Sequence, residues 1–289
     1  MRIAVTGAAG RIGRRVVGEA TARGHTVVAL DQSPRPDGMV TARYDQIDLM
    51  NYDALVRALD SCDGLIHLAA ITGPGLYPDH IVHDRNVTSS YHALRAAAEI
   101  GIRRVAQASS VNAIGGRFSA VARYDYLPVD ESHPTYAEDP YSLSKWVCEQ
   151  QAYAIVRAHP GMSIASLRLH GVVPNRAAAM AAFATDDGVA ERQLWGYVTS
   201  EATARAFVRA IDVDLGGHEV FYIVAPDTMS DVPSLDLAAR HYPDVPITGN
   251  LAGHASFFDC SKARSLMGWT HDPHPGATGD ADERTQELP

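Results

Sequence analysis

Met1-Arg2-Ile3-Ala4-Val5-Thr6-Gly7-Ala8-Ala9-Gly10-Arg11-Ile12-Gly13 opens the chain and decides its architecture. An apolar run gives way to three glycines spaced by three, and Arg14 to Ala20 then follows helical periodicity. That order reads as strand, tight turn and helix, the start of a mononucleotide-binding crossover. Gly7 permits the sharp turn. Gly10 lets backbone amides approach a pyrophosphate with no Cβ in the way, and Gly13 lets the helix pack close to the strand. Phosphates would sit at the positive end of this helix, against the turn that holds Arg11 and Ile12.

Composition bounds what the rest can be. The 289 residues suffice for one large α/β domain, or one and a half, with a buried core. A net charge of -9 and a pI near 5.8 give no basic footprint, so neither nucleic acid nor an anionic membrane is expected as a partner. No stretch reaches the apolar length of a membrane span, and the chain enters a strand at once, leaving no room for a signal peptide. A cytoplasmic protein is the expectation. Cys62, Cys148 and Cys260 are far apart, odd in number and without metal-ligand spacing, so reduced thiols and no metal are expected.

Strand-like and helix-like segments then alternate. Thr26 to Leu30 is a second buried strand ending in Asp31, eighteen residues past Gly13. A carboxylate there accepts hydrogen bonds from adenosine ribose hydroxyls and repels a 2′-phosphate, which favours NAD over NADP. Arg11 and Arg35 lie near enough in sequence to accommodate a phosphate and so pull the other way. A third strand around Ala42 to Tyr44 leads to Asp48-Leu49, and Asn51 to Leu59 reads as a helix. Gly64 to His67 continues into Leu68-Ala69-Ala70 as a fourth buried strand, whose end allows close approach of a ring or phosphate; His67, inside the apolar run, reads as a packed core histidine. Thr72-Gly73-Pro74-Gly75 is a loop suited to one wall of a substrate cleft. An alanine-rich helix runs from Asp79 to Ile100 with Asn86 near its start, and Arg103 to Ala108 forms a fifth strand ending in Ser109-Ser110.

The second decisive stretch is Asp139-Pro140-Tyr141-Ser142-Leu143-Ser144-Lys145. Asp139 suits a helix cap and Pro140 the first turn, so Tyr141 and Lys145 stand on one helical face. A tyrosine accepts a proton near neutral pH only if its pKa of about 10 is lowered, and a neighbouring ammonium would do that. The chain has only two lysines, Lys145 and Lys262, and uses arginine elsewhere. An arginine would bring the charge but not the compact ammonium.

Together these residues resemble the extended short-chain dehydrogenase/reductases of the NAD-dependent epimerase/dehydratase family. The similarity rests on the Thr6–Gly13 loop, Asp31, Asp48-Leu49, His67 to Ala70, Asn86-Val87, Ser109-Ser110, Leu127 to Pro134, and Tyr141 with Lys145. It implies a catalytic triad of Ser110, Tyr141 and Lys145, with Asn86 supporting a structural water or the helix geometry. Asp48 and Leu49 would hold adenine, and Lys145 the nicotinamide ribose. It also implies a homodimer through the helices at Asp79–Ile100 and Tyr141–Ala158. Ser110-Val111-Asn112 stands where the family's dehydratases have Thr-Asp-Glu, which disfavours elimination.

A closer resemblance is to uronate dehydrogenases and related small sugar dehydrogenases, through Asp31 to Pro34, Ser109-Ser110 with Ile114-Gly115, Tyr141 to Lys145, and Leu194 to Val198. This chain departs from them at Val111-Asn112, where they have Asn-His, and at Gly171, where they have a substrate serine. The implied fold is a Rossmann-like doubly wound parallel sheet over residues 1–170, a small substrate lobe over 171–275 interleaved with the last strands, and a frayed tail over 276–289. The implied activity is NAD-dependent oxidation of a sugar or sugar-acid hydroxyl with Tyr141 as general base. An NDP-sugar epimerase using the same triad, or an NAD sensor without turnover, are the alternatives. Thr72, Ser110, Val111, Asn112, His170 and Arg176 are the candidates for substrate contact; among the arginines, Arg168 and Arg192 also offer an anion site, Arg168 at a strand end that suits a structural role. Ala177 to Ala190 reads as a flap over the cleft, and Ser261 to Trp269 as a terminal helix with a packing tryptophan.

Overall fold

Short apolar runs alternating with helical segments suit a parallel sheet whose two faces are both covered. The computed structural model, which describes residues 1–183 and 187–272, has that arrangement. Strands β1 (Arg2–Thr6), β2 (Thr26–Asp31), β3 (Arg43–Gln46), β4 (Gly64–His67), β5 (Arg104–Ser110) and β6 (Ser163–Leu169) come in chain order. The short β7 (Val172–Val173) and β8 (Val198–Thr199) pair with each other, and β9 (His218–Ile223) returns to the main sheet. The main sheet has seven parallel strands in the order β3-β2-β1-β4-β5-β6-β9. The order reverses between β1 and β4, and a sheet of this kind opens a crevice at the carboxyl ends of the strands there.

Helices cover both faces. They are α1 (Arg11–Ala22), α2 (Tyr52–Leu59), α3 (Asp79–Glu99), α4 (Pro140–Ala158), α5 (Arg176–Phe183), α6 (Asp187–Arg192), α7 (Ser200–Asp212), α8 (Ser234–His241) and α9 (Ser261–Met267). One core packs α1 and α7 on the sheet around Ile3, Val5, Phe207 and Phe221, with Trp269 sealing its edge through an indole bond to the Ala202 carbonyl. The opposite core packs α2, α3 and α4 around Leu30, Leu55, Leu65 and Leu94. A third, aromatic core gathers residues from Val111 to Phe258, where Tyr124, Trp195, Tyr222, Phe257 and Phe258 meet.

Boundaries shift by a residue or two from the sequence reading, as at β3. Within the expected flap, residues 184–186 lie outside the described residues and helices α5 and α6 stand on either side of them. The tail beyond Asp272 also lies outside the described residues. The three cysteines are free. Among the described residues no helix is long and apolar enough to cross a membrane, and no cluster of His, Cys, Asp or Glu could hold a metal ion.

Candidate active site

The glycines after β1 are demanded by the space around them. Gly7 has φ +68°, and a Cβ there would lie 2.8 Å from the Ala69 amide nitrogen. A Cβ on Gly13 would stand 2.1 Å from the Gly7 carbonyl oxygen. Gly10 is the N-cap of α1 and offers no side chain to cap it, so the first amides of the helix are left for a ligand. Beside this turn Thr6 Oγ1 accepts from the amides of Leu68 and Ala69 at 3.2 and 3.4 Å. That leaves its hydrogen for His67 Nδ1 at 2.8 Å. Burial pushes the His67 pKa down to about 3, as for a neutral core histidine tying β1 to β4.

The crevice at the strand ends is a cleft of about 850 Å³. At one end Gly7, Gly10, Arg11, Ile12 and Gly13 border Asp31, Asp48 and Leu49. Asp31 uses one oxygen to accept from the Ala9 amide and the other from Ser33, each at 2.9 Å, which fixes it at the end of β2. Asp48 accepts from Arg85 at 2.9 and 3.0 Å and from the Met50 amide at 3.0 Å. Partial burial works against its charge, but the Met50 amide and Arg85 outweigh it and hold the carboxyl below its ordinary value. Arg35 is turned away, donating to the Met39 carbonyl at 2.6 Å. Leu68, Ala69 and Ala70 form the floor at the end of β4.

At the other end stand Ser110, Tyr141, Lys145, Asn86, Asn112, Thr72 and His170. Asp139 caps α4 by accepting from the Tyr141 and Ser142 amides at 3.0 and 2.9 Å. Asn86 ties α3 to its surroundings: its amide group donates to the Ile71 carbonyl and Ser144 Oγ, and its oxygen accepts from the Ile71 amide. Ser110 Oγ accepts from the backbone and side-chain amides of Asn112 at 3.1 and 3.3 Å. His170 accepts from the Gly171 amide at Nδ1 and donates from Nε2 to the Gln193 carbonyl, so the ring is neutral. Burial agrees, pushing its pKa down to about 4.

Three expectations need correction. Lys145 does not lower the Tyr141 pKa here: its ammonium donates to the Ala108 carbonyl at 2.9 Å and lies 6.0 Å from the tyrosine ring centroid. Burial instead raises the Tyr141 phenol, opposed by the Ser110 hydroxyl and the Arg117 guanidinium, and burial lowers the Lys145 ammonium. Val111 does not face the cleft, because its side chain packs into the third, aromatic core. Arg176 lies outside the cleft lining, because its guanidinium is taken by Asp227, Asp231 and the Thr228 and Ser230 carbonyls. Arg168, read as structural or anion-binding, is structural: it forks onto Glu149 at 2.9 and 2.8 Å in the core.

The sequence reading missed Arg117 and Phe118, which line the cleft beside Tyr141. The Phe118 ring meets the Tyr141 ring edge-on with centroids 5.9 Å apart. The one signal for them is the Gly115-Gly116 pair just before, which bends the chain back toward the strand end at φ +91° and +119°.

The model of the NAD dependent epimerase/dehydratase family matches residues 3–212, the span that holds the glycine turn, β5 and α4. The chain is 28% identical over 175 residues to dTDP-6-deoxy-L-talose 4-dehydrogenase (NAD(+)) of Aggregatibacter actinomycetemcomitans, covering 59% of this chain and 61% of that one. It is 30% identical over 174 residues to L-arabinose 1-dehydrogenase (NAD(P)(+)) of Haloferax volcanii, covering 58% and 66%. The matches thus span about three fifths to two thirds of the length of these curated relatives. Among solved structures, MoeE5 in complex with UDP-glucose and NAD superposes with a TM-score of 0.71 at 24% identity over 95% of both chains, which shows the shared fold. The glycine cradle, the open helix terminus and Asp31 fit a dinucleotide on geometric grounds of their own, and with the family match over most of the chain they support one conclusion: this protein belongs to the NAD-dependent epimerase/dehydratase family.

Proposed function

We propose that the protein is an NAD-dependent dehydrogenase that oxidises a hydroxyl of a sugar or sugar-derived substrate. The observation that carries this reading is the convergence of Ser110, Tyr141 and Lys145 in one cleft with the glycine turn and Asp31. The two dehydrogenases among its relatives support it.

When bound, NAD supplies the hydride acceptor. The α1 terminus would hold its phosphates, Asp31 the adenosine ribose, Asp48 and Leu49 the adenine, and Lys145 the second ribose. Tyr141 takes the proton from the substrate hydroxyl as general base. Ser110 hydrogen-bonds the same oxygen and fixes its direction, with Asn112 orienting the serine. Thr72 and His170 stand on the walls around that oxygen, His170 as a neutral donor and acceptor already committed to the backbone. Because burial raises the Tyr141 pKa, the phenolate form gains with rising pH, and oxidation accelerates toward alkaline pH. Exposed Tyr91 on α3, and Leu143 and Tyr153 on α4, support pairing of two copies through those helices.

The test is NADH absorbance on mixing the protein and NAD with uronates, aldoses and NDP-sugars. Accumulating NADH that is lost in Tyr141→Phe, with NAD binding kept, is the expected result. A changed sugar without net NADH would replace the dehydrogenase with an epimerase; NAD binding without any change in any sugar would leave a sensor.

A further inference from the structure

The charges in the cleft are sorted along its length. Its carboxylates, Asp31 and Asp48, stand at the end of the glycine turn, and Asp48 is matched there by Arg85. Around Tyr141 the lining holds two cations, Lys145 and Arg117, and no carboxylate. Lys145 is engaged with the Ala108 carbonyl and belongs to the cofactor side.

Arg117 is different in kind. Its backbone is pinned on both sides, the amide donating to Asn112 Oδ1 and the carbonyl accepting from Arg192 Nε, each at 3.2 Å. Gly116 before it has no room for a side chain, since a Cβ would stand 2.8 Å from the Tyr124 hydroxyl, which itself donates to the Arg192 carbonyl. The loop is therefore built to present Arg117 at one place. Its guanidinium lies 5.1 Å from the Phe118 ring centroid, and Phe118 in turn meets Tyr141. Among the described residues that guanidinium has no hydrogen-bond or ion-pair partner, and it lies over the Phe118 ring. Its field reaches both Tyr141 and His170, disfavouring added positive charge on each.

We propose that Arg117 is the anchor for an anionic group on the substrate, a carboxylate or a phosphate, so that the cleft selects an acidic sugar derivative over its neutral parent. The proposal rests on the dehydrogenase reading only for the identity of the reacting hydroxyl. A planar guanidinium with free donors pairs a carboxylate through two parallel hydrogen bonds. A single such cation suits one carboxylate, whereas a diphosphate spreads its charge over more partners. The contact with the Phe118 ring restrains the guanidinium without consuming its donors. The same anchor sets the distance from the acidic group to the hydroxyl over Tyr141, so it positions as well as selects.

The test separates binding from turnover. Tyr141→Phe protein saturated with NAD is titrated by calorimetry with D-galacturonate, D-galactose and UDP-galactose. Galacturonate is expected to bind about 10- to 100-fold more tightly than galactose, the worth of one charge-assisted pair. Adding Arg117→Gln should erase that preference, and Arg117→Lys should keep part of it, while NAD affinity stays the same in all three proteins. Binding of UDP-galactose that depends on Arg117, without such binding of galacturonate, keeps the anchor and assigns it to a phosphate. A preference that survives Arg117→Gln, equal binding of galacturonate and galactose with Arg117-independent UDP-galactose, or no binding by either anionic sugar overturns the proposal. NADH formation by the wild-type protein is read separately: neutral sugars oxidised as well as acidic ones would sink the anchor and leave the dehydrogenase, and anion binding through Arg117 with no NADH would do the reverse.

Discussion

Replacing Arg168 by methionine should cost far more than the loss of one surface charge. Arg168 forks onto Glu149 with Nε and Nη2 at 2.9 and 2.8 Å, and the two side chains are 6% and 1% exposed. Glu149 also accepts from Ser109 Oγ at 2.6 Å, and Arg168 donates to the Tyr222 hydroxyl at 3.3 Å. Burial opposes the guanidinium charge, but the Tyr222 oxygen and Glu149 outweigh it and keep Arg168 protonated. Arg168→Met leaves the Glu149 carboxylate in the core with only a serine hydroxyl. Removing one partner of a buried pair costs about 3–5 kcal/mol, a large part of the roughly 5–15 kcal/mol of a folded domain. With a urea slope near 3 kcal/mol per molar, the unfolding midpoint should fall by about 1–1.7 M. Replacing both partners, as Arg168→Met with Glu149→Leu, removes the stranded charge, and the double variant should be more stable than the single one. The network has a functional side, because Glu149 lies one helical turn beyond Lys145 and Ser109 directly precedes Ser110. Turnover should therefore drop in the single variant at temperatures where it is still folded. A single variant within about 1 kcal/mol of wild type, or a double variant less stable than it, would refute the account.

Two other perturbations test different parts of the structure. Gly13→Ala places a methyl group 2.1 Å from the Gly7 carbonyl, so the turn must open; calorimetric titration should show NAD binding lost, and an unchanged affinity would contradict the reading of the loop. Burial lowers His67 and His218 to about 3 and His170 to about 4, against about 6.5 unfolded. The unfolded chain then takes up more protons as pH falls below about 6.5, so stability is full above that value and declines toward pH 4 by up to about 1.4 kcal/mol per unit for each histidine. Urea midpoints at pH 7.5, 5.5 and 4.5 should fall in that order, and His218→Gln should flatten the decline; a flat series would falsify the assignment of these rings as buried and neutral.

Much of the cofactor side was legible because its signals are local. The glycine spacing, the acidic residue closing β2 and the four-residue step from Tyr141 to Lys145 each depend on backbone geometry within a few residues of chain. The alternation of apolar runs and helices likewise foretold a parallel sheet, and helix α4 begins where Asp139 and Pro140 place its cap. The direction of individual side chains was not legible. Val111 follows Ser110 directly yet turns into the aromatic core, since the chain enters a 3-10 turn over Val111–Ile114 that sends adjacent residues to different sides.

Sequence by itself determined the fold class, the cofactor family and the short list of groups able to do chemistry, because those are properties of spacing and residue type. Only the tertiary structure decided which charges remain available in the cleft. Three arginines end in three conditions: Arg168 is buried on Glu149, Arg176 is bound by Asp227 and Asp231, and the guanidinium of Arg117, which the sequence reading passed over, has no hydrogen-bond or ion-pair partner among the described residues. The carboxylate partners of Arg168 and Arg176 lie 19 to 55 residues away along the chain, so no local pattern could have distinguished a guanidinium already satisfied from one still free to bind.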